Sequence, residues 1–298
     1  MPLAILPTMP KSTRILLAVF GGLLLTNFFI WQTALSGESV NNDELKVYFL
    51  DIGQGDATLI EAPNGNQVLI DGGRTDNKVL RELGEVMSPL DKEIDVVIAT
   101  HPDADHIGGF PEVLSRYKTG NYIESGNLTK DTQVIKNLDK VLENIKIPRI
   151  LAKRGMKIVL DQEKQIYLDI LYPDRDVTNV ESNDASIIAK LVYGNTCFIM
   201  SGDAPQKIER YVSNIEKENL DCEVLKTGHH GSRTSTSPEW VGFVSPEYAV
   251  ISAGKNNSYG HPHKEVLQTL EKFGVEILRT DLMGRVKMVS DGEMVSVK

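Results

Sequence analysis

Residues 100–109 read Thr-His-Pro-Asp-Ala-Asp-His-Ile-Gly-Gly and follow directly on the apolar run Val96-Val97-Ile98-Ala99. A short apolar run bounded by turn signals reads as a buried strand. Its end is a rigid platform from which a turn can aim several side chains at one point. His101, Asp103, Asp105 and His106 are four potential ligands within six residues. Imidazole nitrogen and carboxylate oxygen are donors that Zn²⁺, Mn²⁺ and Fe²⁺ accept. Gly108-Gly109 lets the backbone approach closely and opens a helical stretch to Tyr117. A solvated polar loop would not need donors at this density, so the string reads as a metal-binding loop.

Outward from it, residues 45–51, 57–61 and 67–71 are short runs rich in β-branched and aromatic residues, separated by turns with Gly. They read as strands and hairpins. Residues 79–87, 129–145, 205–215 and 263–273 have helical spacing. Strands are expected at 157–160, 166–172, 187–192, 196–200, 222–226, 248–252, 276–278, 286–289 and 294–297. Strands come first, helices then interleave, and the order recurs after residue 157. The expectation is one domain of two similar β-then-α halves.

The second half carries further donors, again at strand ends. Ser201-Gly202-Asp203 follows the run at 196–200. Gly228-His229-His230-Gly231-Ser232 follows 222–226, and His261 lies in a Gly-His-Pro loop. Each has a plainer alternative. Asp203 could cap the helix beginning near Pro205, Asp71 could be a turn residue before Gly72-Gly73, and His261 could be a surface histidine. Gln54-Gly55-Asp56 marks another sharp turn.

Taken together, the strings VYFLDIGQGDATLI, LIDGG, THPDADHIGG, SND, SGD and KTGHHGS resemble the metallo-β-lactamase fold superfamily, and within it the hydrolase domain of ComEC-type DNA-uptake (competence) proteins. The resemblance covers roughly residues 45–298. It implies an α/β (α+β) chain folded as a four-layer αββα sandwich with metals at the strand ends. It implies His101, Asp103, Asp105, His106, Asp203 and His229 as metal ligands. Asp105, His230 and His261 take the catalytic roles, and Asp71, Asp56, Asn183, Asp184 and Ser232 support them. Asp103 stands where the superfamily usually has His. The superfamily's next ligand His is also missing, since no His lies between His106 and His229, and Asn183 and Asp184 stand at about that place. The implied cofactor is a pair of divalent ions, Zn²⁺ or Mn²⁺, and more oxygen donors favour the harder Mn²⁺.

Residues 15–35 are uncharged and strongly apolar, 21 in a row. That is enough to cross a hydrocarbon core of ~30 Å as a helix. Lys11 and Arg14 precede the run, and no charge follows until Glu38. This pattern places residues 1–14 in the cytoplasm and the main domain outside, joined by a linker at 36–44. The alternative is a secretory signal cleaved near Ala34-Leu35-Ser36, leaving a secreted protein.

The net charge is −9, a poor basis for non-specific binding to nucleic acid, which draws on Lys and Arg. There is no Cys-x-x-Cys zinc site. Cys197 and Cys222 read as two small buried side chains, or as one disulfide if the domain is extracytoplasmic. The function expected is hydrolysis by a metal-bound hydroxide. A phosphodiesterase or nuclease comes first, with a phosphodiester substrate, DNA among the candidates. The alternatives are a hydrolase of a small or cell-wall phosphoester or of an amide, or a non-catalytic binding protein of the same fold.

Overall fold

The computed structural model describes residues 11–35 and 43–298, without the side chains at 14, 15, 17, 18 and 29–35. The chain forms two compact units, Met1–Asn42 and Asp43–Lys298. The described part of the first is one helix, α1 (Lys11–Leu35), over the apolar run expected to be helical. Among the described residues, no helix is long and apolar enough to cross a membrane. The cytoplasmic segment expected at 1–14 and the linker at 36–44 lie largely outside the described residues.

The second unit begins with β1 (Leu45–Phe49), β2 (Thr58–Glu61) and β3 (Gln67–Ile70), then α2 (Lys78–Val86), β4 (Glu93–Ala99), α3 (Ala104–Ile107) and α4 (Phe110–Arg116). There follow β5 (Lys118–Glu124), α5 (Gln133–Ile145), β6 (Arg149–Leu151), β7 (Lys157–Asp161) and β8 (Ile166–Tyr172). Next come β9 (Ile188–Tyr193), β10 (Thr196–Met200), α6 (Gln206–Glu216), β11 (Val224–Lys226), α7 (Pro238–Val244) and β12 (Tyr248–Ile251). The chain closes with α8 (Lys264–Lys272), β13 (Glu276–Arg279), α9 (Thr280–Met283), β14 (Val286–Ser290) and β15 (Val295–Val297).

Side-chain alternation on the strands builds the layers. Leu45, Val47 and Phe49 of β1, Val96 and Ile98 of β4, and Phe198 and Met200 of β10 share one buried core between two sheets. The opposite faces are covered by helices. Val97 and Ala99 pack with residues of α2, α4 and α5, while Ile199 and Leu225 pack with residues of α6, α7 and α8. The result is helix, sheet, sheet, helix. On α5, Leu138 and Leu142 fall one turn apart and are buried, and Thr132 caps its start by accepting from the Ile135 N–H at 3.3 Å.

One sheet runs β15-β14-β1-β2-β3-β4-β5-β6, the other β13-β12-β11-β10-β9-β8-β7. The division into two sequential halves is corrected by the last strands. β14 leaves the second half and pairs antiparallel with β1, matching Val47 with Met288. Its alternating apolar side chains, Val286 and Met288, complete the shared core. β5 and β6 were not expected. The sequence at 118–124, KTGNYIE, is polar and contains Gly120, yet it adds in parallel beside β4. Neighbouring backbone, rather than its own pattern, makes it a strand. β3–β6 and β10–β13 are parallel runs. The loops carrying Asp71, His101–His106, Asp203, His229–His230 and His261 leave carboxyl ends of these strands, while the Asp56 loop follows antiparallel β1.

Cys197 at the start of β10 and Cys222 just before β11 form a disulfide with Cα atoms 5.0 Å apart, so the disulfide replaces two separate thiols. It closes a loop of 25 residues. Reducing it is expected to destabilise this unit by about 3 kcal/mol through chain entropy, measured by urea unfolding with and without dithiothreitol.

Glu209 of α6 is buried and accepts the backbone N–H of Thr236 and of Ser237 (2.9 Å), tying down the segment after the histidine pair. Burial pushes its carboxyl up to about 7, against the lowering pull of those two N–H groups. A carboxyl with a raised folded-state pKa contributes stability that is complete below its ordinary value of 4.5 and is lost as pH rises through about 7. Between pH 4.5 and 8 the protein is expected to lose about 3 kcal/mol more stability than Glu209→Gln, in parallel urea titrations.

Candidate metal centre

Asp71 follows β3 with a left-handed backbone, φ 59°. Its carboxylate accepts the Thr100 N–H (2.8 Å) and hydroxyl (2.7 Å) through separate oxygens, and one oxygen also meets His106 Nδ1 at 2.8 Å. The loop after β4 is thereby fixed. α3 then carries Asp105 and His106 away from the strand end. Below it, Phe110 sits edge-on to Tyr122 at 6.1 Å, both buried, a contact worth about 1 kcal/mol beyond its buried area.

Asp203 lies past β10, 3.3 Å from His106 Nε2 and 3.8 Å from His101 Nε2. His230 Nε2 lies 3.8 Å from Asp203 and 3.5 Å from Asp105. Four triads of donor atoms, the atoms of each within 4.8 Å of one another, lie among the described residues. Two of them draw on Asp56, which is paired with Lys226 and His230, leaving His101–His106–Asp203 and Asp105–His106–His230. The Nε2 atoms of His101, His106 and His230 and Oδ1 of Asp203 are buried with no hydrogen-bond partner among the described residues. Orphaned buried polar atoms cost about 1–3 kcal/mol each. Three orphaned imidazole nitrogens converging on the Asp203 carboxylate fit divalent cations, and His/carboxylate is the donor chemistry such ions take.

The local charge supports this. His101 is pushed down to about 4 by burial and by His106 beside it. For His106 burial opposes the charge, yet Asp203 and Asp71 raise it well above the usual histidine range. For His230 burial is likewise outweighed, here by Asp203 and Asp56, which lift it to about 9. The negative potential that retains those protons also favours a metal cation.

His230 is anchored as His106 is. Its Nδ1 faces two acceptors, Asp56 Oδ1 at 3.1 Å and the Ser252 carbonyl at 3.2 Å, so Nδ1 keeps its proton and Nε2 is the nitrogen that a cation would take by displacing the second proton. The second Asp56 oxygen accepts from Lys226 Nζ at 2.9 Å. Asp56, Lys226 and His230 are all buried. The Asp56 backbone is tied to the other half, its N–H donating to the Asp105 carbonyl at 3.2 Å and its own carbonyl accepting the Gly73 N–H at 2.9 Å. Burial alone would raise the Asp56 carboxyl, but Lys226 and His230 hold it well below the usual range. Lys226 was not among the residues expected at the site. The available signal was a lysine inside the apolar strand Val224–Lys226, where an unpaired charge is too costly to bury.

The side chains expected at the site lie at different depths. Asp103 is turned away from the triads, its carboxylate accepting from Ser182 Oγ (2.5 Å) and pairing with Lys130 (3.2 Å). Its own carbonyl accepts the His106 and Ile107 N–H groups and so opens α3, which points the side chain outward. His230, expected to be catalytic, joins the donor triads. His229, expected as a ligand, is 28% exposed at the side chain and belongs to neither triad, with Nε2 3.6 Å from Asp203 and Nδ1 beside Asn183 and Thr234. Both histidines have left-handed backbone, φ 49° and 54°. This strain, typical of functional sites, sends the two rings apart. Asp184 pairs with Lys207, and Ser232 bonds Thr234 at 2.9 Å. His261 stands at the rim, its ring 6.1 Å from His230 and its Nδ1 3.5 Å from the Gln54 amide nitrogen.

Two stacked sheets with a cluster of His and Asp donors at the carboxyl ends of their parallel strands define a metal-dependent hydrolase type of fold. The chain belongs to the metallo-beta-lactamase superfamily, whose family model matches residues 50–255. It is 33% identical to ComE operon protein 3 of Bacillus subtilis over 95% of its length and 37% of that protein's. With recombination protein 2 of Haemophilus influenzae the identity is 30%, covering 86% and 30%. Both relatives, with competence protein ComA of Neisseria gonorrhoeae, are of the ComEC type, and the chain spans about a third of their length. Among solved structures, Igni18, a metallo hydrolase of the archaeon Ignicoccus hospitalis, shares the fold with TM-score 0.53 at 16% identity, covering 81% of this chain and 98% of that one. CmlA, a diiron beta-hydroxylase from Streptomyces venezuelae, does so with TM-score 0.53 at 12% identity, covering 82% and 53%.

Lys226→Met and Asp56→Asn each free His230 to rotate and are expected to weaken metal binding by about 10- to 100-fold. Competition with a chromophoric chelator measures this. Lys226→Arg is expected to retain more affinity than Lys226→Met.

Proposed function

We propose that this chain is a metal-dependent phosphodiesterase, acting as a nuclease, tethered by its N-terminal helix with the catalytic domain outside the cytoplasm. The observation that carries this is the convergence of His101, His106, Asp105, Asp203 and His230, with donor atoms of His101, His106, His230 and Asp203 buried and unpartnered among the described residues. In this reading His101, His106 and Asp203 would hold one divalent cation, Zn²⁺ or Mn²⁺, and Asp105 and His230 would contribute to holding a second. Such cations supply positive charge for phosphate oxygens and bring the pKa of water to near neutrality. The phosphodiester preference draws on relatives whose names concern competence and recombination. The location draws on the Cys197–Cys222 disulfide, a bond that persists in oxidising compartments, and on the charge pattern around residues 15–35.

The protein's own groups divide the remaining work. Asp105 keeps 30% of its side chain exposed at the mouth of the cluster and orients the attacking water by accepting its hydrogen bond. Burial would raise its carboxyl, but His230 beside it and the charge of His106 hold it far below the usual range, so it is an acceptor at neutral pH. The Gln54 amide donating to His261 Nδ1 leaves the proton on Nε2. Burial and the neighbouring histidines lower His261 to about 4, so the ring is neutral and offers that N–H to the leaving oxygen.

Asp105→Ala and Asp203→Ala are each expected to lower turnover about a thousandfold while leaving the circular dichroism spectrum unchanged. The assay uses bis-p-nitrophenyl phosphate and single-stranded DNA with Mn²⁺ and Zn²⁺ separately, and nitrocefin as the amide substrate expected to be inert. Wild-type turnover in both variants with metal still bound would refute the assignment. Less than about one equivalent of metal on the natively purified protein would favour a non-catalytic member of the fold.

A further inference from the structure

Beside the metal centre lies an open cavity of about 840 Å³. Its wall includes four cations, Arg74, Lys78, Arg81 and Lys255, against two carboxylates, Asp51 and Asp76. This balance is opposite to the net charge of −9 of the whole chain. Lys78 is paired with Asp76 at 3.4 Å, and Arg81 meets Glu82 at 3.6 Å. Arg74 and Lys255 have no ion-pair partner among the described residues, and both are exposed.

The backbones that carry these two residues are locked to the metal-site turns. Arg74 follows Gly73, whose carbonyl accepts the Gly109 N–H at 3.1 Å, while the Gly72 N–H donates to the His106 carbonyl at 2.6 Å. Gly108 lies so close to this loop that a Cβ there would come within 2.7 Å of the Thr75 nitrogen. Lys255 follows Gly254, whose N–H donates to Gln54 Oε1 at 3.2 Å and whose added Cβ would meet the Gln54 nitrogen at 2.8 Å. Gln54 is the residue beside His261 Nδ1. One free cation therefore hangs from the half that carries His106 and the other from the half that carries His261. The position of each relative to the reacting centre is fixed by backbone contacts.

We propose that this cavity is a subsite for the phosphates flanking the scissile bond, with Arg74 and Lys255 as the substrate-positioning residues. It rests on the phosphodiesterase reading and narrows it to a substrate with more than one phosphate. No aromatic side chain lines the cavity, so it offers phosphate contacts without the base stacking that single-strand binders use. Recognition is then of the charged backbone and independent of sequence.

The test compares the full chain with Arg74→Ala/Lys255→Ala and the charge-preserving Arg74→Lys/Lys255→Arg. The substrates are bis-p-nitrophenyl phosphate, with one phosphate, and a 12-residue oligothymidylate. The alanine pair is expected to lower kcat/KM on the oligomer about tenfold or more and to leave the small diester within about twofold. Anisotropy of the labelled oligomer is expected to show a slope of log affinity against log salt shallower by about 1.4, two single-strand contacts. The charge-preserving pair should restore most of both. Poly(glycerol phosphate) of equal charge should compete equally, and a preference above about tenfold for the nucleotide would overturn recognition by phosphate alone. Equal losses on both substrates, or an unchanged salt slope, would overturn the subsite while leaving the hydrolase reading intact. Salt-dependent binding lost in the alanine pair, without cleavage of either substrate by the wild type, would retain the subsite and remove the hydrolase.

Discussion

The site depends on burying carboxylates that water would otherwise solvate. Asp56, Asp71 and Asp203 are all buried within reach of the same imidazoles. A buried charge is tolerated only when it is paired and hydrogen-bonded. Asp71 is satisfied by Thr100 and His106, and Asp56 by Lys226 and His230. Asp203 faces only histidine nitrogens across 3.3–3.8 Å, with one oxygen unpartnered. The first two hold histidines in place, and the third is the acceptor left for cations.

The two sheets make this possible by a division of labour. Strands β3 and β4 deliver Asp71, His101, Asp105 and His106, and strands β10, β11 and β12 deliver Asp203, His230 and Ser252. The first half therefore supplies both carboxylates that aim histidines, Asp71 for His106 and Asp56 for His230, and the second half supplies His230 and Asp203. Asp56 is the joint. Its backbone bonds to the first half and its side chain to the second, so displacing either half misaligns the donors of both. Parallel strands ending at one edge bring these loops together because all their carboxyl ends lie on the same side.

Electrostatics also separates the roles of neighbouring residues. His229 and His230 are adjacent in the chain, but one ring is at the rim and the other is buried against Asp56. Asp103 and Asp105 are two residues apart, but only the second faces the cluster. Chemical type alone assigns these pairs identical roles. Backbone direction at two left-handed residues and at the start of a short helix tells them apart.

The donor types, their placement at strand ends and most strands were legible in the sequence, because each is a local property. Apolar runs of a few residues ending in His or Asp are visible without knowing what lies opposite. The helices at 79–87 and 263–273 were legible for the same reason, through their own periodicity. The strand at 118–124 was not, since its polar sequence becomes a strand only beside β4. The return of β14 to β1, the pairing of Cys197 with Cys222, the outward turn of Asp103 and the burial of His230 beside a more exposed His229 were decided only by the tertiary structure. So was the contact of Lys226 with Asp56, 170 residues away in the chain. A sequence fixes which groups can ionise or coordinate. Which of them meet is set by packing two sheets face to face, an interaction between segments too distant to leave a local pattern.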